Sequence, residues 1–437
     1  MFSYKPHWDS FYIQDQNYYH HGATDTDRFP ALTGNQQTEL CVIGGGFTGL
    51  SCAYHARQLG KEVILLERHT LGYGASGRCG GQILPGFAGD MATIERRVGP
   101  DDARHLWDLS LEGVHIVERI VKEHGIDCAH KPGNLILART KKDTKDLARL
   151  QEYHRVKLDY DMTMVGREDL AADLRSSYYD GALSSPGGSH FHPLQYIDGL
   201  AGVLHDRGVR IFCRSSAEAI IQKDGKFLIS TPGGMITADT IALCGDSYQG
   251  RLVPSLRQKY VLIRCAMIAT EPLGEEQAVF LSDRCAYENS NALHFFRKTA
   301  DNRLLFGGGD VIQPLKTAIN TQKMIVQTLR SQLPAIFPAL DNIGIDYGWG
   351  GYIGMTSTFM PNVGQLMEGA FYASGYSGHG VNNAHICGKL LAEAAAGQSD
   401  RYRLFNRFKN ISFPGRGYWD HWLARIGIKL HEHNLLF

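Results

Sequence analysis

Three stretches carry residues whose types and spacing suit one task, holding a dinucleotide against a redox centre. In the first, ELCVIGGGFTGLSCAYHARQLGKEVILLE (39–67), Gly44, Gly46 and Gly49 fall at the G-x-G-x-x-G spacing. Gly44 permits a tight turn, Gly46 lets the backbone approach a pyrophosphate, and Gly49 lets a helix pack on a strand. Free N–H groups at the helix start favour that anion. Glu67 stands 23 residues after Gly44, placed to accept hydrogen bonds from ribose hydroxyls. The second stretch, RHTLGYGASGRCGGQILPG (68–86), is glycine-rich and follows directly. There Ser76 and the backbone N–H groups near it suit phosphate, Arg78 adds positive charge, and Gly80, Gly81 and Gln82 suit the edge of a redox ring. The third, GYSGHGVNNAHICGKLLAEAAAG (375–397), is a glycine turn running into a long helix. Its unpaired N–H groups and positive dipole end suit a ring that becomes anionic on reduction, although an ordinary glycine turn has the same spacing.

The elements that must position these stretches are legible in the pattern. Glu39–Ile43 and Val63–Leu66 read as buried strands and Ser51–Leu59 as the helix between them. A bare G-x-G-x-x-G is weak evidence, but here strand, helix and acid agree. Val209–Cys213 and Thr240–Cys244 read as further parallel strands, the latter ending in GDSY at the ligand crevice. Pro193–Arg207 is a helix, and Ala217–Gln222, Lys226–Ser230 and Met235–Ala238 form an antiparallel meander around KDGK and TPGG. Gly181–Ser185 and SPGGSHFHPL return toward the nucleotide fold, and Phe371–Ser374 is a short strand. Met91–Gly125 is helical in pattern, followed by a strand at Asn134–Ala138 and a helix at Thr144–Leu158. Strands at Lys259–Ala269, Ala292–Arg297 and Arg303–Phe306, with a helix at Ala318–Leu333, suggest a second, mostly antiparallel sheet. The expected class is α/β: a discontinuous Rossmann-type domain (1–90, 155–258 and 343–437) and a substrate domain on the antiparallel sheet (91–154 and 259–342). Met1–Gln37 reads as an irregular arm laid over the fold.

At 437 residues the chain exceeds one compact core. Its formal net charge of zero gives no reason to expect nucleic acid as a partner. Nine cysteines without a C-x-x-C, and an N-terminus without an apolar signal core, fit reduced thiols in a cytoplasmic protein. No stretch is long and apolar enough to span a bilayer. The tail 401–437, with Trp419 and Trp422 among basic residues, suits docking on its own body better than a membrane surface. His190 and His192 are two apart without a carboxylate or cysteine nearby, so no metal is expected. LLFGGGDV lacks the last glycine of a second fingerprint, and Cys79 stands alone in its loop. One dinucleotide held from three segments suggests a resident flavin rather than an exchanging nicotinamide.

VIGGGFTGLS, GYGASGRCGGQI and GYSGHGV resemble the FAD-dependent oxidases of the D-amino-acid oxidase, glycine oxidase and sarcosine oxidase type, from Glu39 to Gly397. SPGGSHFHPL, TADNRLLFGGGDV, IDYGWGGYIGMTSTFMPNVGQL, YSGHGVNNAHICGKLLAE and FPGR resemble the γ-glutamylputrescine oxidoreductases. The resemblance implies FAD. It places Gly44, Gly46, Phe47, Thr48 and Gly49 at the pyrophosphate turn, Glu67 and Arg68 at the adenosine ribose, and Ala217 at adenine. It places Ala75, Ser76, Arg78, Gly81 and Gln82 in the loop wrapping pyrophosphate and flavin, Gly245 at a strand end, and Gly378, His379, Gly380 and Val381 at the flavin pyrimidine. Cys79 departs from the family, which has asparagine in GASGRNGG. The implied reaction moves a hydride to flavin N5 from the carbon next to a neutral amine, giving an imine and then an aldehyde, with O2 as acceptor and hydrogen peroxide as product. The alternative substrates are amino acids or N-methyl glycine. His379, Trp349 and Tyr352 are the candidate catalytic residues, with Phe295 and Phe296 as further aromatic walls. Arg264, Arg297 and Arg303 are candidates for a substrate carboxylate, although each reads more readily as a surface residue.

Overall fold

The computed structural model describes residues 17–20, 28–249, 252–289, 294–308 and 321–413. The tryptophan-bearing tail beyond 413, the first residues of the strand expected from Ala292 and those of the helix expected from Ala318 lie outside the described residues.

The chain opens with β1 (Gln36–Ile43), α1 (Phe47–Gln58) and β2 (Val63–Leu66), then β3 (Gln82–Ile83), α2 (Met91–Val98) and α3 (Pro100–His124). Next come β4 (Lys131–Ala138), α4 (Lys141–Leu158), β5 (Thr163–Gly166), α5 (Arg167–Leu170), β6 (Gly181–His190), α6 (Pro193–Asp206) and β7 (Arg210–Phe212). β8 (Ala219–Lys223), β9 (Lys226–Thr231), β10 (Gly234–Leu243), α7 (Pro254–Arg257), β11 (Tyr260–Thr270), β12 (Cys285–Glu288), β13 (His294–Lys298) and β14 (Leu304–Gly308) follow. The described chain ends with α8 (Thr321–Ile336), β15 (Ile345–Thr356), β16 (Asn362–Met367), β17 (Ala370–Ser374), α9 (Gly380–Ala395) and a short 3-10 segment at Arg401–Arg407.

Two sheets result. The first runs β16-β17-β10-β1-β2-β7 and is parallel from β17 to β7. All four residues of β2 and the last four of β1 are buried, as strands covered on both faces require. The second runs β15-β11-β14-β13-β12-β4-β6-β3, with β5 on β6, and is mostly antiparallel.

The structure departs from the sequence pattern in several places. The helix expected over Met91–Gly125 breaks at Gly99, whose φ of +87° precedes a proline that opens α3. Met235–Ala238 and Thr240–Cys244 are one strand, because β10 pairs antiparallel with β9 through its first half and parallel with β1 throughout. β5, β6 and β15, drawn from the expected nucleotide segments 155–258 and 343–437, belong to the second sheet. β6 and β15 pair with β4 and β11, which are distant in sequence, so local pattern holds no trace of those pairings, and β5 follows β6 as its antiparallel neighbour. Finally, an unforeseen edge strand, β16, pairs with β17.

Two contacts position the site. At the described end of the N-terminal arm, Asn17 donates to the Gly77 carbonyl (2.8 Å), the Tyr18 hydroxyl donates to Asp301 (2.6 Å), and Tyr19 is fully buried. The arm thus joins the glycine-rich loop to the second sheet. Helices α1 and α9 pack face to face at Gly388, where a Cβ would lie 2.5 Å from the Thr48 carbonyl oxygen. Ser51 Oγ also donates to the His385 carbonyl at 2.7 Å.

Candidate active site

At the carboxyl ends of β1 and β10 the chain turns away on both sides, which opens a crevice at the usual ligand position of a doubly wound sheet. A cavity of about 360 Å³ occupies it. All three sequence stretches reach this one cavity. Gly44, Gly46, Phe47 and Thr48 border it from the first turn, and Glu67 and Arg68 from the end of β2. Ala75, Ser76, Arg78 and Gln82 come from the glycine-rich loop, Ala217 from the loop between β7 and β8, Gly245 from the end of β10, and Gly378, His379, Gly380 and Val381 from the start of α9.

Gly49 and Gly81 do not border the cavity; they shape it from behind. A Cβ on Gly49 would lie 1.8 Å from the Gly44 carbonyl oxygen, so only glycine lets α1 sit this close to the turn. Gly81 has a φ of +70°, and a Cβ there would lie 2.4 Å from the Phe191 carbonyl oxygen.

The cradle fits a dinucleotide. A Cβ on Gly44 would strike the Cys244 carbonyl at 2.8 Å, so the backbone of both strand ends lies bare at the crevice. The N-cap residues of α1 and α9, Gly46 and His379, make no side-chain cap bond, and both helix starts border the cavity with backbone N–H groups and the positive ends of their dipoles. Ser76 Oγ accepts from Phe47 N–H (3.0 Å), which ties the loop to the first turn. Glu67 accepts from Gly45 N–H (2.7 Å) and His69 N–H (2.8 Å). Burial raises its pKa against those bonds.

His379 donates from Nε2 to the Leu84 and Pro85 carbonyls (3.0 and 3.2 Å), which leaves Nδ1 as its proton acceptor. Burial lowers its pKa, so the ring is neutral near pH 7. Tyr352 borders the cavity, and its backbone N–H donates to the Tyr248 hydroxyl at 2.8 Å. Trp349, expected beside it as a catalytic residue, does not border the cavity. It is fully buried behind the loop, donates from Nε1 to the Arg78 carbonyl (3.0 Å) and packs edge-on against Tyr19. Phe295 is a wall, whereas Phe296 faces the opposite side of the sheet and stacks on Phe306. The two are adjacent on β13 and must point opposite ways.

Two of the three arginines expected to meet a carboxylate are engaged elsewhere. Arg303 is buried and paired with Asp301 and Asp346. Arg297 is buried among backbone carbonyls. Arg264 lies opposite Tyr352 in the sheet register, and its side chain lies outside the described residues. His190 donates to the Asp283 carbonyl (2.7 Å), and His192 caps α6 by accepting from Gln195 N–H (3.2 Å).

Sequence reasoning named Phe295 and Tyr352 as walls but missed the neighbours that the second sheet sets beside Phe295. Tyr287, Phe295, Gly307 and Met267 form one transverse row across β12, β13, β14 and β11. A Cβ on Gly307 would lie 2.6 Å from Phe295 and 2.8 Å from Met267, so those two side chains close over it. Cys265, two residues before Met267, borders the cavity from the same face. Asp246 was missed too, although GDSY at a strand end was visible. Its φ is +45°, and its Oδ1 accepts from Gly375 N–H at 2.6 Å. It therefore anchors the turn that leads to α9.

A nucleotide crevice roofed by an antiparallel sheet fits a flavoprotein, and comparison with known proteins shows the family. Residues 39–394 match the FAD dependent oxidoreductase family, and the chain belongs to it. Over 402 residues it is 33% identical to the γ-glutamylputrescine oxidoreductase of Escherichia coli, covering 91% of this chain and 93% of that protein. It is 32% identical to the probable oxidoreductase OrdL of Haemophilus influenzae over 99% of this chain and 98% of that one. Among solved structures, the L-proline dehydrogenase of P. horikoshii superposes with a TM-score of 0.72 at 20% identity, over 85% of this chain and 99% of that one. The glycine oxidase of Geobacillus kaustophilus gives 0.68 at 17%, over 84% and 96%. The protein is an FAD-dependent oxidoreductase, and no described helix is long and apolar enough to cross a membrane.

Proposed function

We propose that the enzyme oxidises a terminal amine of the γ-glutamylputrescine class to an imine that hydrolyses to an aldehyde, with O2 as electron acceptor. The observation that carries this reading is the near full-length 33% identity to γ-glutamylputrescine oxidoreductase. The wall supports it. Met267, Phe295 and Tyr352 offer the reacting carbon an apolar and aromatic surface, while Arg297 and Arg303 are committed away from it. A substrate with a carboxylate on the reacting carbon gains nothing from either arginine.

FAD, when bound, supplies two-electron acceptance next to this wall. Gly44 to Thr48, Glu67 and Ser76 would hold its adenosine and pyrophosphate end, and Gly378 to Val381 the ring end. The chain's own contribution is environmental. Exclusion of water by the sheet side chains favours the neutral amine, the form able to give up a hydride. His379 Nδ1 is suited to take the proton that the amine releases.

Anaerobic mixing with γ-glutamylputrescine, putrescine, sarcosine and D-alanine, followed by flavin absorbance, tests the reading. Rapid bleaching by the first and slow or no bleaching by the last two is the expected result, with peroxide on admitting air. Bleaching by sarcosine or D-alanine alone would replace it with an amino-acid oxidase. Reoxidation by an artificial acceptor but not by air would make the enzyme a dehydrogenase.

A further inference from the structure

Arg297 is 3% exposed, yet every group it touches is neutral. Its Nε donates to the Gly80 carbonyl (2.8 Å), Nη2 to the Phe191 carbonyl (3.0 Å) and the Tyr19 hydroxyl (3.2 Å), and Nη1 to the Lys298 carbonyl (3.4 Å). The neighbouring cations differ: Lys298 pairs with Asp283 and Arg303 with Asp301. Among the described residues no carboxylate forms an ion pair with Arg297. Carbonyl oxygens satisfy the N–H groups but leave a full positive charge standing in the interior, and buried charges are ordinarily paired or avoided.

The position of that charge suggests its use. Gly80 borders the cavity, so the guanidinium lies one peptide group behind the wall. A Cβ on Gly81 would lie 3.1 Å from Nη2, which shows how closely the loop is drawn over it. The field reaches the cavity. Burial pushes the Cys79 thiol up to about 11, and the Arg297 charge opposes that rise. A hydride carries two electrons and one proton, so each turnover brings one negative charge into the cavity.

We propose that Arg297 is a positioning residue that sets the reduction potential of the bound FAD, its unneutralised charge behind Gly80 favouring the reduced cofactor. The proposal rests on the family's cofactor and not on the amine assignment. It is tested on the holoenzyme by photoreduction against a reference dye, without any amine, so it can fail independently of the proposed substrate. R297Q should disfavour reduction about tenfold, which for a two-electron couple is about 30 mV. R297K, which keeps the charge, should stay close to wild type, and so should Y19F, which removes one neutral partner. Sulfite, which adds to oxidised flavin and makes the ring anionic, should bind R297Q about tenfold more weakly. A wild-type potential in FAD-loaded R297Q would overturn the proposal, and so would R297K shifting as far as R297Q. If R297Q does not retain FAD, R297K decides: a retained potential supports the charge, and a shifted one refutes it.

Discussion

Replacing Gly49 and Gly46 separately by alanine should separate two roles that one fingerprint combines. At Gly49 the new Cβ would lie 1.8 Å from the Gly44 carbonyl oxygen. A carbon and a carbonyl oxygen need about 3.3 Å, so α1 must retreat by about 1.5 Å. The obstacle is backbone and cannot rotate away, which puts the cost near the top of the usual overpacking range, about 3 kcal/mol. At Gly46 the Cβ would meet only Ser76 Oγ, at 2.8 Å. Ser76 can turn aside and lose its bond from Phe47 N–H, a cost of about 1 kcal/mol. The methyl then stands where a pyrophosphate would approach, so FAD affinity should fall at least about tenfold, or 1.4 kcal/mol. Urea unfolding of the apoprotein reads the first effect, and quenching of FAD fluorescence on titration reads the second. G49A should lose stability even without FAD, whereas G46A should remain nearly stable and bind FAD poorly. An apo G49A with the wild-type urea midpoint, or a G46A with wild-type affinity, would refute the division of labour.

The buried Glu288–His294 pair (2.9 Å) predicts a stability maximum in mildly acidic solution. Burial opposes ionisation of both groups, but their mutual bond and charge prevail, lowering Glu288 and raising His294. The glutamate's contribution is present above its ordinary value of 4.5 and lost as pH falls through its depressed one. The histidine's is complete below 6.5 and lost as pH rises through its elevated one. Urea midpoints against pH should peak between those values, and E288Q should flatten the curve; an unchanged curve would count against the pair. At Asp246, alanine should weaken FAD binding about tenfold by freeing Gly375 N–H, since a bond to a charged acceptor contributes about 1.5–3 kcal/mol. Asparagine keeps the acceptor and tolerates the positive φ, so D246N should bind FAD nearly as wild type does; equal weakening in both variants would rule out the hydrogen bond as the cause.

What the sequence disclosed follows from how local each signal is. β1, α1 and β2 are contiguous, and the jobs of Gly44, Gly46 and Gly49 are set within six residues, so turn chemistry alone locates them. The third turn was legible because a glycine cluster opens a long helix. Of the second sheet's wall only Phe295 and Tyr352 were, by residue type; the rest was not. Tyr287, Phe295, Gly307 and Met267 meet only through register across four strands. Trp349 has the residue type of an active-site aromatic, and only the register of β15 against β11 puts it behind the loop. Arg297 was read as a substrate or surface cation because its acceptors, at Gly80 and Phe191, lie 217 and 106 residues away.

The seam between α1 and α9 has a consequence for selectivity among cofactors. With Gly388 seated on Thr48, the two helix starts at the cavity belong to one rigid block, and the span between them does not adjust. The block works as a gauge of length. FAD and FMN share the phosphate-to-ring span that this gauge sets, so the discrimination falls to the adenosine end at Glu67 and Ala217, which FMN would leave bare.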